Sequence, residues 1–186
     1  MTLHPRLGRY AVAAAAGAAL LVLLPLAPAE ALPPTSRTVK DAVEPGRAYD
    51  ITELKLRSAS KTSRPAVVLV KHSRKVRTGD VIDVWFDFDG DKAPDLHVSG
   101  NAFSEFTVHL TGSFTKDGKD ISNKDCARLA MGGSVSKVRL FPACVGSPLS
   151  FAVAVKSSAD GKPSSTDDWA PATRKFSKLV LSAPLT

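Results

Sequence analysis

Four aspartates, Asp87, Asp89, Asp91 and Asp95, fall within the segment DFDGDKAPDL, with Gly90 and Pro94 between them. Carboxylates this close repel one another unless something neutralises them. Calcium would do so: it takes roughly six to eight oxygens and needs several carboxylates converging on a tightly turned loop. Counted from Asp87, the aspartates occupy loop positions 1, 3, 5 and 9, and Ala93 at position 7 can offer its backbone carbonyl. The same residues also suit the polar turn of a β-hairpin, since Asp and Gly favour turns for local reasons. Both readings stand open. Calcium is the candidate cofactor, with Asp87, Asp89, Asp91, Ala93 and Asp95 as its candidate ligands.

Just upstream lies VIDVWFDF. Strand alternation puts Trp85 on the face opposite Ile82, Val84 and Phe86, between Asp83 and Asp87. A solvent-facing indole beside carboxylates can hold a sugar ring by stacking and hydrogen bonds, so Trp85 and Asp83 are candidate ligand-binding residues. The competing reading is that both faces of the strand are covered and Trp85 is core. The run KHSRKVR, Lys71 to Arg77, close to Arg57, Lys61 and Arg64, suits either a solvated turn or a surface for cell-wall polymers and acidic glycans. Nucleic acid is not expected, because no aromatic residues interleave with these cations.

Catalysis has thin support. The chain contains neither H-E-x-x-H nor G-x-S-x-G. His97 and His109 fall on outward faces of neighbouring strands, with no third metal ligand at evident spacing. A carboxylate pair for glycoside hydrolysis remains the enzymatic alternative.

The elements that must position these residues are strands. Arg6 and Arg9, the apolar run from Tyr10 to Leu24, Pro25 and the small-residue segment APAEA together read as a secretory signal peptide over residues 1–31. Its removal takes the net charge from +7 to +6, since it carries Arg6, Arg9 and Glu30. No later stretch is long and apolar enough to span a bilayer as a helix. Residues 32–48 read as a flexible entry segment and residues 49–186 as one domain. Cys126 and Cys144, a single pair in an exported chain, are expected to form one disulfide.

Short apolar-alternating segments bounded by turn residues recur from Tyr49 onward, and no segment reads as a helix of globular length. Asp117-Gly118 and Gly132-Gly133 are the hairpin signals. Lys156 to Thr173 reads as a long polar loop, and RKFSKLVLS as the closing strand. The fold class expected is all-β: an antiparallel two-layer sandwich of jelly-roll type, with about eight or nine strands.

Two resemblances add to this. The signal peptide, the aspartate-rich turn in VWFDFDGDKAPDLHV, a cysteine and the segment PACVGSP (Pro142 to Pro148) resemble a group of small secreted actinobacterial proteins. That likeness implies a β-sandwich and no particular activity. The 87–96 loop is similar to the calcium loop of FG-GAP and VCBS propeller repeats, which implies Asp87, Asp89, Asp91 and Asp95 as ligands. It departs from that pattern at Lys92, where the repeats have glycine, and no propeller repeats surround it.

The expectation for function is a secreted or wall-associated, non-catalytic binding or accessory module. Its expected partner is cell-wall or extracellular polysaccharide, with calcium ordering one loop. A small secreted hydrolase of glycans and a purely structural or interaction protein are the alternatives.

Overall fold

Side chains of a pleated strand alternate between two faces, so period-two patterning sorts each segment into an inner and an outer set. The computed structural model describes residues 35–47, 49–59, 64–141, 145, 150–159 and 166–181. The chain divides into Met1–Ala31 and Leu32–Thr186. The expected signal segment lies outside the described residues, as do Cys144 and the rest of PACVGSP apart from Val145.

The described strands are β1 (Ser36–Lys40), β2 (Ile51–Arg57), β3 (Ala66–His72), β4 (Val81–Asp87), β5 (Leu96–Asn101), β6 (Phe106–Leu110), β7 (Ala127–Gly132), β8 (Val135–Leu140), β9 (Ala152–Ser158) and β10 (Asp168–Ala170). They form two five-stranded sheets with antiparallel pairing throughout: sheet A in the order β1-β2-β3-β8-β7, and sheet B in the order β10-β9-β4-β5-β6. The fold is therefore all-β. Among the described residues no helix is long and apolar enough to cross a membrane.

One buried cluster draws on the inner faces of both sheets. Leu54, Leu56, Val68, Val70, Val138 and Leu140 come from sheet A; Ile82, Val84, Phe86, Val98, Val108, Val153 and Val155 come from sheet B. Cys126 sits in the same cluster, fully buried.

The strand order departs from the expected jelly roll. Sequence neighbours pair within a sheet, as β1-β2-β3 and β4-β5-β6 do, because short connections favour the adjacent strand. With β1 set aside, β2-β3-β8-β7 opposite β10-β9-β4-β5-β6 corresponds to the A-B-E-D and G-F-C-C′-C″ order of a variable-type immunoglobulin sandwich. Strand order of this kind hosts many unrelated functions and assigns none.

Three local expectations also change. Within the expected flexible segment 32–48, Ser36–Lys40 pairs with β2 as an edge strand. Among its described residues RKFSKLVLS does not form a strand of its own. The edge of β9 is shared instead: β10 takes Val155 to Ser157, and Phe151 bridges to Val180 beyond it. Asp117-Gly118 is not a hairpin turn. Residues after β6 loop out and return along it, with the Gly118 N–H donating to the Leu110 carbonyl at 3.0 Å and the Leu110 N–H to the Lys119 carbonyl at 2.9 Å. A Cβ at Gly118 would stand 2.4 Å from the Leu110 oxygen, so the return depends on glycine here. The β7–β8 turn is Gly133-Ser134, one residue later than the glycine pair suggested, with Gly133 at φ 56°.

Candidate functional site

Three places gather chemistry-bearing side chains: the loop leaving β4, the outer face of sheet B and the outer face of sheet A.

The loop from Asp87 to Asp95 is held by its own carboxylates. Asp87 accepts from the Gly90 N–H at 2.6 Å and the Lys92 N–H at 3.1 Å; Asp89 accepts from Asp91 N–H at 3.1 Å, and Asp91 from Ala93 N–H at 2.7 Å. These bonds wind the chain so that one carboxylate oxygen each of Asp87, Asp89 and Asp91 lies within 4.8 Å of the others. Lys92 takes φ 71°, the conformation glycine would adopt most cheaply. Asp95 turns to the strand instead, accepting from the Phe88 N–H at 2.7 Å. Its carboxyl pKa is raised, by burial first and then by the charges of Asp89, Asp87 and Asp91. Three of the four expected carboxylates thus converge, and the fourth lies close enough to feel them.

The outer face of sheet B is covered. Trp85 is 3% exposed, so the expectation of a solvent-facing platform fails. Its ring stacks on His97 (centroids 4.5 Å apart, planes 2° apart) and on Trp169 (5.2 Å, 11°). Phe114, from the loop after β6, meets it edge-on at 5.4 Å. The strand alternation is as expected; later segments lie over the face it presents. Of the two tryptophans it is Trp169, half-buried, that lines a cleft of about 350 Å³, together with Asp41, Glu44, Arg47 and Asp167. Burial, followed by the charge of Asp168, raises the Asp41 carboxyl to about 6.

Beside Trp85 runs an ionised chain. Register places Lys156 and Ser99 on either side of Asp83, and Trp85, His97 and His109 in the next row. His97 donates from Nε2 to Asp83 Oδ1 at 3.1 Å and from Nδ1 to Asp117 Oδ1 at 2.7 Å, while Lys156 Nζ meets Asp83 Oδ2 at 2.9 Å. Burial is the largest influence on His97 and opposes its charge, but the hydrogen bonds to Asp83 and Asp117 outweigh it and hold the imidazole pKa up. Burial likewise acts to raise Asp83, and the bonds from His97 and Lys156 overcome it, so that carboxyl is held down. Asp83 is therefore committed to a buried ion pair and is not presented to a ligand from solvent.

The outer face of sheet A is open. One cross-strand row reads Arg57, Val67, Arg139 and Arg128; the next reads Lys55, Leu69, Lys137 and Ala130. In the third row Glu53 stands opposite Lys71 and Lys40, and it pairs with Lys40, with Lys71 at 2.8 Å and with Lys55 at 3.5 Å. Hydrogen bonds from Lys40 and Lys71 lower the Glu53 carboxyl to about 2. The KHSRKVR run contributes less than its sequence suggests. His72 is buried, and Arg74 forms a two-pronged pair with Asp80 at 2.7 Å for each bond.

For a nucleophile, His72 Nε2 and Ser136 Oγ lie 2.9 Å apart, but both residues are buried and Tyr49 stacks on the imidazole. Burial pushes His72 down to about 3, a poor base at neutral pH.

Scans of the chain against protein-family models, curated proteins and solved structures return no match.

Sequence reasoning missed Asp117 as a partner of the histidines, Trp169, and all of the cationic face apart from Arg57 and Lys71. Asp117 reaches the two histidines only through the return along β6. Trp169 lies in what reads as a polar loop. The cations are spread over β1, β2, β3, β7 and β8, and only register brings them together.

Proposed function

We propose that the protein is a secreted, non-catalytic binding module that engages an anionic extracellular or cell-wall polysaccharide through the outer face of sheet A. The observation that carries this reading is the cross-strand array of Arg57, Arg139, Arg128, Lys55 and Lys137, in which the neighbouring carboxylate, Glu53, is already neutralised by three lysines. Arg139 stands directly opposite Arg128, which Asp125 only partly offsets from an exposed pair at 3.1 Å, and like charges so placed are unfavourable on their own. A polyanion relieves that repulsion and is drawn to the patch over a long range. Val67 and Leu69, half-buried between the cations, give the face an apolar floor.

Export rests on the signal-like residues 1–31, and the fully buried Cys126 fits a bridge to Cys144. Calcium completes the reading. Asp87, Asp89 and Asp91 converge, and Lys92 already adopts the positive φ that the sixth loop position needs. The ion would order the loop and is not itself the polysaccharide site.

The test is retention at low salt on heparin and on polygalacturonate, with neutral cellulose as the control. The protein is expected to bind both anionic matrices and pass through cellulose. An Arg57→Glu/Arg139→Glu variant should pass through all three with its melting temperature unchanged. Equal retention of that variant would overturn the assignment.

A further inference from the structure

We propose that His97, His109 and Asp117 bind a divalent transition-metal ion of the zinc type on the outer face of sheet B. His97 and His109 are directly paired across β5 and β6, which puts both imidazoles on one face of the sheet. The third group comes from the segment that returns along β6. Asp117 Oδ1 lies 2.7 Å from His97 Nδ1, and Asp117 Oδ2 lies 3.9 Å from His109 Nδ1. One donor atom from each of the three residues falls within 4.8 Å of the others. Zinc bonds of about 2.0–2.2 Å in a tetrahedral arrangement set their ligand atoms roughly 3.4 Å apart, between the two separations seen here.

Two further features point to a ligand. His109 Nδ1 is buried and has no hydrogen-bond partner, though it faces a carboxylate. His97 is oriented from behind: Asp83 takes its Nε2–H, and Lys156 holds the other Asp83 oxygen. A carboxylate fixing the far nitrogen of an imidazole is the usual outer support of a metal-bound histidine. Trp85 stacked on His97 leaves the ring little freedom to turn.

Two imidazole nitrogens and one carboxylate suit zinc rather than calcium, which prefers an all-oxygen shell. Binding exchanges the proton on His97 Nδ1 for the ion and fills the open side of His109. Asp117 is 49% exposed, so a fourth position would face water.

The experiment titrates zinc chloride into the chelator-stripped protein by calorimetry, and cobalt chloride by visible absorption. One equivalent should bind, and cobalt should give the intense bands of a four- or five-coordinate site. His109→Gln, at a partly exposed position, should abolish binding while melting like the parent, and Asp117→Asn should abolish it with a somewhat lower melting temperature, since it gives up the charged hydrogen bond to His97. Asp83→Asn should keep the stoichiometry and weaken affinity by about 10–100-fold. Asp89→Ala, in the acidic loop, should bind zinc unchanged, which separates this site from the calcium reading. Zinc binding that survives His109→Gln, a weak six-coordinate cobalt spectrum, or no binding at all would overturn the proposal.

Discussion

The outer faces of the two sheets start from the same alternating pattern and end as opposites. On sheet A the outward Lys55 and Arg57 of β2 and Lys137 and Arg139 of β8 keep access to solvent as a field of cations, beside the one buried carboxylate, Glu53. On sheet B the outward residues of β4 after the half-buried Val81 are Asp83, Trp85 and Asp87, and all three are buried. The difference lies in what comes later in the chain. The loop carrying Phe114 and Asp117 lies over sheet B, and Trp169 of its edge strand β10 and Phe176 beyond it close the same face, whereas the cations of sheet A keep their face wet. Alternation names a residue's face, and only the path of distant segments decides whether that face meets water.

The sharpest way to break this contrast is Trp85→Ala. If the indole is packed as described, its loss should destabilise the fold by about 3–5 kcal/mol, as for other buried aromatics. Chemical denaturation would read this directly. A variant as stable as the parent that lost only sugar binding would restore the exposed-platform reading.

A smaller effect belongs to the loop leaving β4. Calcium at about a hundredfold over its dissociation constant should add about 2.7 kcal/mol, or roughly 5–10 °C in melting temperature. Asp89→Ala should remove the shift, and magnesium should not reproduce it. No shift with millimolar calcium would leave the loop as a self-capped turn.

The buried ion chain of sheet B should also give a pH signature above neutrality, whereas Glu53 on sheet A, with its lowered carboxyl, responds only in acid. The raised His97 pKa means its contribution is fully present below the ordinary imidazole value, about 6.5, and is lost as pH rises through the raised one. The lowered Asp83 contributes above the ordinary carboxyl value and loses its effect only as pH falls through the lowered one. In chelator, melting temperature should therefore fall as pH is raised past neutrality, and His97→Gln should flatten that limb. An equally steep limb in the variant would place the titration elsewhere.

What is legible in the sequence follows from the range of each interaction. The all-β class, the inner residues of β4 and the aspartate loop are legible because period-two patterning and turn chemistry are local, whereas Ala66 to Val70 of β3 is apolar at every position and does not tell its inner face from its outer one. β1 escapes because SRTVK is a short polar edge strand with little to bury, half of it exposed. β10 escapes because DWA is only three residues inside a polar stretch. The jelly-roll expectation fails because strand order depends on which sheet each connection joins, which no local pattern encodes. His97 and His109 are visible as a pair. Their third partner is not, since Asp117 is delivered by a close approach at Gly118 that reads as an ordinary turn.

The substitution that disturbs the fold least bears most directly on function. Arg139 is exposed on β8, so Arg139→Gln should alter stability by no more than about 0.5 kcal/mol. The decisive measurement is the slope of log affinity for heparin against log salt concentration, for the protein and for this variant. If the outer face of sheet A is the polyanion site, binding weakens steeply with salt and the variant's slope is shallower by about one counterion. A flat salt dependence, or the same slope in both proteins, would contradict it.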